Sequence, residues 1–201
     1  RNVPIIFLSS SVVYNNPHAS KIVETDPKVV NGFGGFYGYT KILAEGIFNH
    51  LSINGLKCII LRPTSIYGYG LPSDKLIQDY INIASSGGLI KVTGPKNKVN
   101  FIHAYDVANA ALQAYDKKAW GVFNISSKKQ NTILEVAEIA VSVSGSGSIA
   151  VLNEDKNDTT FSRFDLNSKL ANQSFGFDTV VNLEEGMTLM KNKILIPQKN
   201  K

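Results

Sequence analysis

A tyrosine and a lysine four residues apart, in Tyr37-Gly38-Tyr39-Thr40-Lys41, lead into the run Ile42-Leu43-Ala44-Glu45. On a helix, positions i and i+4 share a face, so Lys41 is expected beside Tyr37. An adjacent ammonium favours the phenolate and draws its ionisation down from about 10, giving a general acid/base usable near neutral pH. Tyr39 is a competing phenol, but its i+4 position is Leu43. Upstream, the apolar Ile5-Ile6-Phe7-Leu8 runs into Ser9-Ser10-Ser11, a strand end whose hydroxyls could share an oxygen with the phenol. Such groups suit moving a proton on or off a carbinol while a hydride leaves or arrives.

The elements that must position them alternate strand and helix. The pattern predicts a strand over 4–8, a helix over 37–52 stopped by Gly55, and a strand over 56–61. In the helix expected over 74–85, Leu76, Ile77, Tyr80, Ile81 and Ala84 recur on one face. Short strands follow at 89–92 and around 101–103, then a helix over 106–115 and a strand over 121–125. Thr132 and Glu135 have capping-box spacing for the next helix. A Gly/Ser hinge over 143–148, a strand near 149–152 and a helix over 183–192 complete the reading. The alternation argues an α/β chain with a parallel sheet.

Composition narrows the classes. The 201 residues are 43% hydrophobic, enough to bury a core, and carry a formal charge of +5. The charge comes from scattered lysines, with arginine only at Arg1, Arg62 and Arg163, so no nucleic-acid patch is expected. A net positive charge nevertheless suits an anionic substrate. One cysteine, Cys58, inside an apolar strand, permits no disulfide framework and fits a reducing cytoplasm. No apolar run approaches the ~20 residues a membrane span needs. Three scattered histidines suggest no metal site.

Four segments in order resemble the extended short-chain dehydrogenase/reductase superfamily, in its NAD-dependent epimerase/dehydratase branch. They are Phe7-Leu8-Ser9-Ser10-Ser11-Val12-Val13-Tyr14, Tyr37-Gly38-Tyr39-Thr40-Lys41, Leu61-Arg62-Pro63-Thr64-Ser65-Ile66-Tyr67-Gly68, and Phe101-Ile102-His103-Ala104-Tyr105-Asp106-Val107-Ala108. The resemblance implies the C-terminal part of a doubly wound, Rossmann-like parallel sheet plus a smaller α/β substrate-binding domain. Residues 1–66 would finish the dinucleotide-binding domain and 67–201 would mainly bind substrate, with helix 106–115 packing back on the sheet. It also implies a catalytic set of Ser10, four residues before Tyr14, with Tyr37 and Lys41. NAD or NADP would be met by Ser9, Tyr37, Lys41, Pro63, Thr64 and Ile66, Lys41 reaching the nicotinamide ribose. Ser10, Ser11, Ser65 and Lys98 would touch substrate, a small molecule of the nucleotide-sugar class, and relatives dimerise through the tyrosine helix. His103 is expected to anchor a strand–helix junction rather than act as a base.

Departures from the family pattern refine this. The family opens with a Gly-x-x-Gly-x-x-Gly turn that holds the pyrophosphate; Gly32-Phe33-Gly34-Gly35 follows no strand and does not qualify. The resemblance therefore implies a fragment, without the first several strand–helix units, that binds cofactor poorly alone. Sugar dehydratases of the family place Asp-Glu after the catalytic hydroxyl residue, where this chain has Ser11-Val12. That leaves nucleotide-sugar epimerisation or keto-sugar reduction. Two diphosphate-clamping arginines are replaced, one by Val99 with Lys98 beside it, the other by Asp155 with Lys156 beside it. A non-catalytic binding relative and a reductase of a non-nucleotide ketone are the alternatives.

Overall fold

The computed structural model describes residues 3–71, 75–152 and 161–195. In chain order the elements are β1 (Ile5–Leu8), a single 3-10 turn (Ser11–Val13), α1 (Gly35–Ile53), β2 (Cys58–Pro63), β3 (Ser65–Tyr67), α2 (Leu76–Ser85), β4 (Leu89–Val92), β5 (Lys98–Val99), β6 (Phe101–His103), α3 (Ala104–Asp116), β7 (Gly121–Ile125), β8 (Asn131–Thr132), α4 (Ile133–Ser144), β9 (Ser148–Val151), β10 (Ser162–Arg163), α5 (Lys169–Phe175) and α6 (Leu183–Lys191). Residue 74, where the helix over 74–85 was expected to begin, and Asp155 and Lys156 lie outside the described residues.

A three-stranded parallel sheet, ordered β1-β2-β7, organises the first half. Ile5 pairs with Cys58 and Leu8 with Leu61, while Ile59 pairs with Gly121 and Pro63 with Ile125. Every residue of β2 is buried, as expected of a strand flanked on both sides and covered on both faces. Ile59 and Leu61 join Val107, Ala110 and Phe175 from α3 and α5 in one apolar cluster. The alternate residue Arg62 faces α1 instead, following the two-residue period of a strand. Among the described residues β1 pairs only with β2, and Ile6 (39%) and Leu8 (45%) are exposed.

The second half is held by a different core. Ile77, Tyr80, Ile81 and Ala84 of α2 pack with Val136 and Ala140 of α4 and Met187 of α6, over the parallel pair β4–β9. The amphipathic stripe read for α2 is the buried one. The α4 start is the predicted capping box: Glu135 N–H donates to Thr132 Oγ1 at 3.0 Å and Thr132 N–H to Glu135 Oε2 at 2.9 Å.

Several boundaries moved. α1 begins two residues before Tyr37, α3 two before Asp106, and β2 extends through Pro63. The expected hinge over 143–148 is instead a helix end: α4 runs to Ser144, and Gly145 caps it at φ 69°. The seven-residue α5 and the two-residue ladders β10-β5-β8 were not anticipated. Among the described residues no helix is long and apolar enough to cross a membrane.

Candidate active site

Parallel pairing of β1 and β2 brings both carboxyl ends to one rim of the sheet. Open α/β sheets bind ligands outside the carboxyl ends of their strands. β1 delivers Ser9-Ser10-Ser11 to that rim and β2 delivers Pro63-Thr64. Ser10 takes extended backbone angles (φ −160°, ψ 153°) and opens the 3-10 turn, its Oγ accepting from Val12 N–H at 3.3 Å.

The start of α1 lies against that 3-10 turn, an approach that Gly34 permits and that leaves Gly38 in ordinary contact distance of Val12. A Cβ on Gly38 would stand 3.4 Å from Val12 O, and one on Gly34 would stand 2.8 Å from the Val12 side chain. Tyr37 sits between these two contacts in sequence and is 54% exposed. Lys41 Nζ lies 5.4 Å from the centre of the Tyr37 ring, 5.0 Å from that of Phe7, and donates to Leu8 O at 2.8 Å. The structure thus brings Tyr37 and Lys41 together and fastens the ammonium to the end of β1, next to the serines.

Other proposed contacts carry prior commitments. Ser9 is buried and gives its hydroxyl to Glu45 Oε1 at 2.5 Å. Ser11 is buried within the turn. Thr64 is buried, its hydroxyl donating to Asn100 Oδ1 at 2.8 Å. Ser65 and Ile66 are half-buried in β3, paired in register with Phe101 and Ile102. Lys98 is exposed on β5, paired with Ser162 and Thr132 in a separate sheet.

A buried polar network beneath these residues was missed by sequence reasoning. Arg62 makes a two-pronged pair with Glu45, Nε to Oε1 at 2.9 Å and Nη2 to Oε2 at 2.7 Å. Lys28 Nζ adds a third cationic contact at 3.1 Å from Glu45 Oε2. Arg62 Nη1 donates to the Tyr14 hydroxyl at 2.8 Å, which donates on to Asn124 Oδ1 at 2.6 Å. Burial alone would raise the Glu45 ionisation, but its hydrogen bonds to Arg62, Ser9 and Lys28 hold it below the ordinary carboxylate range. Burial pushes Tyr14 up to about 12, against the pull of Arg62. The signal available in the sequence was Glu45 at i+8 from Tyr37, with an arginine inside an otherwise apolar strand.

Two further side chains stand out. His103 caps α3 through Nδ1, which accepts from Tyr105 N–H at 3.2 Å, and burial pushes its ionisation down. It anchors the junction of β6 and α3, as expected. Arg163 lies 4.6 Å from the Phe33 ring centre and 3.9 Å from that of Phe161, which brings a guanidinium to the loop leading into α1.

Comparison with known proteins follows the same lines. Residues 1–126 match a model of the NAD dependent epimerase/dehydratase family. An uncharacterized protein, y4nG, of Sinorhizobium fredii is 28% identical over 146 residues, covering 71% of this chain and 35% of that protein. A dTDP-4-dehydro-6-deoxy-D-allose reductase of Streptomyces bikiniensis is 26% identical over 151 residues, covering 70% and 45%. The crystal structure of UDP-N-acetylglucosamine 4-epimerase from Bacillus cereus superposes with a TM-score of 0.81 at 23% identity, over 93% of this chain and 64% of that one, a likeness of fold. The chain thus spans less than half of the two sequence relatives and under two thirds of the solved structure.

Proposed function

The chain belongs to the NAD dependent epimerase/dehydratase family, and on that premise we propose that it forms the acid/base half of a nucleotide-sugar 4-epimerase or keto-sugar reductase. The observation that carries this reading is the placement of Lys41, over the Tyr37 ring and bonded to Leu8 O at the end of β1. A phenol that is exposed, flanked by an ammonium and set at the carboxyl rim of a parallel sheet is suited to proton exchange with a bound carbinol or ketone.

In this scheme the Tyr37 phenolate takes the proton from a sugar hydroxyl as the hydride leaves, and the resulting phenol returns it to the ketone oxygen as the hydride comes back. Ser10 orients the same oxygen from the turn after β1. Lys41 places positive charge beside the phenolate and holds the ribose of the cofactor. NAD or NADP, when bound, supplies the hydride acceptor and donor. Support for the nicotinamide end comes from Tyr37 and Lys41 on α1, Ser10 after β1 and Pro63 at the end of β2, with Ile66 following; the Ser9 and Thr64 hydroxyls are already bonded within the protein. The residues present do not suit the pyrophosphate, since Gly34 is spent on the approach of α1 to Val12. The pyrophosphate cradle would come from strand–helix units on the edge of β1 that no described strand pairs, completing a dinucleotide-binding domain that ends near residue 66. Residues 67–201 then form mainly the substrate side.

Dehydration is disfavoured because Val12, where an acid would be needed, has no exchangeable proton and packs against the α1 glycines. For an anionic nucleotide sugar, Lys98 and Arg163 would supply positive charge, with Ser65 as a polar contact; Ser11 is buried within its turn. Two copies would pair through α1, which exposes Leu43 and Ile47, in the reducing cytoplasm that the single buried thiol of Cys58 suits. The direct test is turnover of NAD(P) and candidate nucleotide sugars by the full-length gene product. Tyr37→Phe is expected to lower kcat by about a hundredfold or more. Retention of most activity by that variant would refute the scheme.

A further inference from the structure

The groups assigned to chemistry come from three separate stretches: the turn after β1, one face of α1, and the end of β2. One carboxylate touches all three. Glu45 stands at i+4 from Lys41 and i+8 from Tyr37, so the three side chains share a face of α1 about 6 Å apart along its axis. Lys41 holds Leu8 through its carbonyl, and Glu45 holds the next residue, Ser9, through its hydroxyl. Successive residues of a strand end are therefore gripped by successive positions on a helix face. On its other side Glu45 is clamped by Arg62, the residue before Pro63, and by Lys28 from the loop ahead of α1.

We infer that Glu45 is the positioning residue of this site, fixing the rotation and depth of α1 against both strand ends so that Tyr37, beside Lys41, is held at the β1 end. The inference rests on the functional reading above, but its structural content stands apart from it. An apolar contact tolerates sliding by a fraction of a residue, whereas a two-pronged guanidinium–carboxylate pair does not. A slip of α1 by one turn, about 5.4 Å, would strand Glu45 and Arg62 as buried, unpaired charges. Gly34 removes the steric resistance to close approach, so the polar clamp determines where the helix stops. Tyr37, mostly exposed, has no tight packing of its own to hold it.

The experiment compares Glu45→Gln and Ser9→Ala in the full-length gene product with Ile81→Ala, a destabilising control in the remote core. Ser9→Ala breaks one arm of the clamp with little loss of volume, so it remains informative if Glu45→Gln folds poorly. Expected is a fall in kcat of about tenfold to a hundredfold for Glu45→Gln, about threefold to tenfold for Ser9→Ala, and none for Ile81→Ala. KM for the nucleotide sugar should stay within about twofold of the parent in all three, because a misplaced acid/base affects the chemical step more than ground-state binding. The second readout needs no turnover. With 13C-labelled tyrosine, assigned by Tyr37→Phe, the Tyr37 resonance should move in Glu45→Gln and Ser9→Ala but not in Ile81→Ala. Unmoved Tyr37 resonances in both folded variants overturn the inference, as does an unchanged kcat in an active enzyme. A parent protein that turns over no nucleotide sugar overturns the functional reading alone, and the resonance then decides the positioning role.

Discussion

The junction of β1, α1 and β2 and the α2–α4–α6 core bury their elements by opposite means. At the first, a fully buried carboxylate and guanidinium pair in two prongs and reach through Tyr14 to Asn124 on β7. At the second, Ile77, Ile81, Val136 and Met187 meet with no charged group among them, the only polar side-chain groups of the cluster being the Tyr67 and Tyr80 hydroxyls. Apolar packing is non-directional and adapts to a changed neighbour. A buried polar network is satisfied in one arrangement and costly in others. The lesson is that this chain places orientation-sensitive interactions beneath its proposed chemistry and forgiving ones where only volume must be filled.

The comparison breaks most clearly if one partner of the clamp is removed. Arg62→Met, which leaves Glu45 buried without its cation, is expected to lower unfolding free energy by about 3–5 kcal/mol. The additional substitution Glu45→Leu should recover much of that stability while leaving kcat depressed, since volume returns but direction does not. Recovery of both, measured by denaturant titration and steady-state rates, would erase the distinction between the regions. Ile81→Ala in the apolar core should cost about 2–5 kcal/mol with kcat unchanged in the folded fraction. Thr132→Ala, which opens the capping box, should cost about 1 kcal/mol and shift the thermal midpoint alone.

The smallest effect lies at the seam between the two regions. Burial lowers the ionisation of His103 from its ordinary 6.5, so as pH falls the unfolded chain takes up this proton first. The stabilisation is complete above 6.5 and is lost as pH drops through the folded-state value. Thermal midpoints should fall more steeply on acidification through that window in the parent than in His103→Asn, which keeps a short polar side chain for the α3 cap. Equal slopes would remove His103 from the pH response.

What was legible in the sequence was local. The i, i+4 spacing of Tyr37 and Lys41, the stripe on α2 and the capping box of Thr132 and Glu135 depend on residues within two turns of one another, and each appears in the structure. The clamp was not legible because Glu45 and Arg62 belong to different elements, and nothing local marks a charged residue as a buried partner. Ser9 and Thr64 read as ligand contacts, yet each has its hydroxyl bonded to a side chain more than thirty residues away. The β10-β5-β8 ladders were invisible because two-residue strands carry no periodicity, and the sheet they make joins segments far apart in the chain. α5, at seven residues, falls below the length at which a helical pattern separates from chance.

Apart from Leu8 O, which Lys41 engages, the outer rim of β1 has amides and carbonyls that no described strand satisfies, with Ile6 and Leu8 beside them. Such a rim templates whatever extended backbone arrives first. Produced by itself at high concentration, this polypeptide should therefore zip onto its own copies and precipitate. Co-expression with a preceding strand–helix segment that occupies the rim should keep it dispersed.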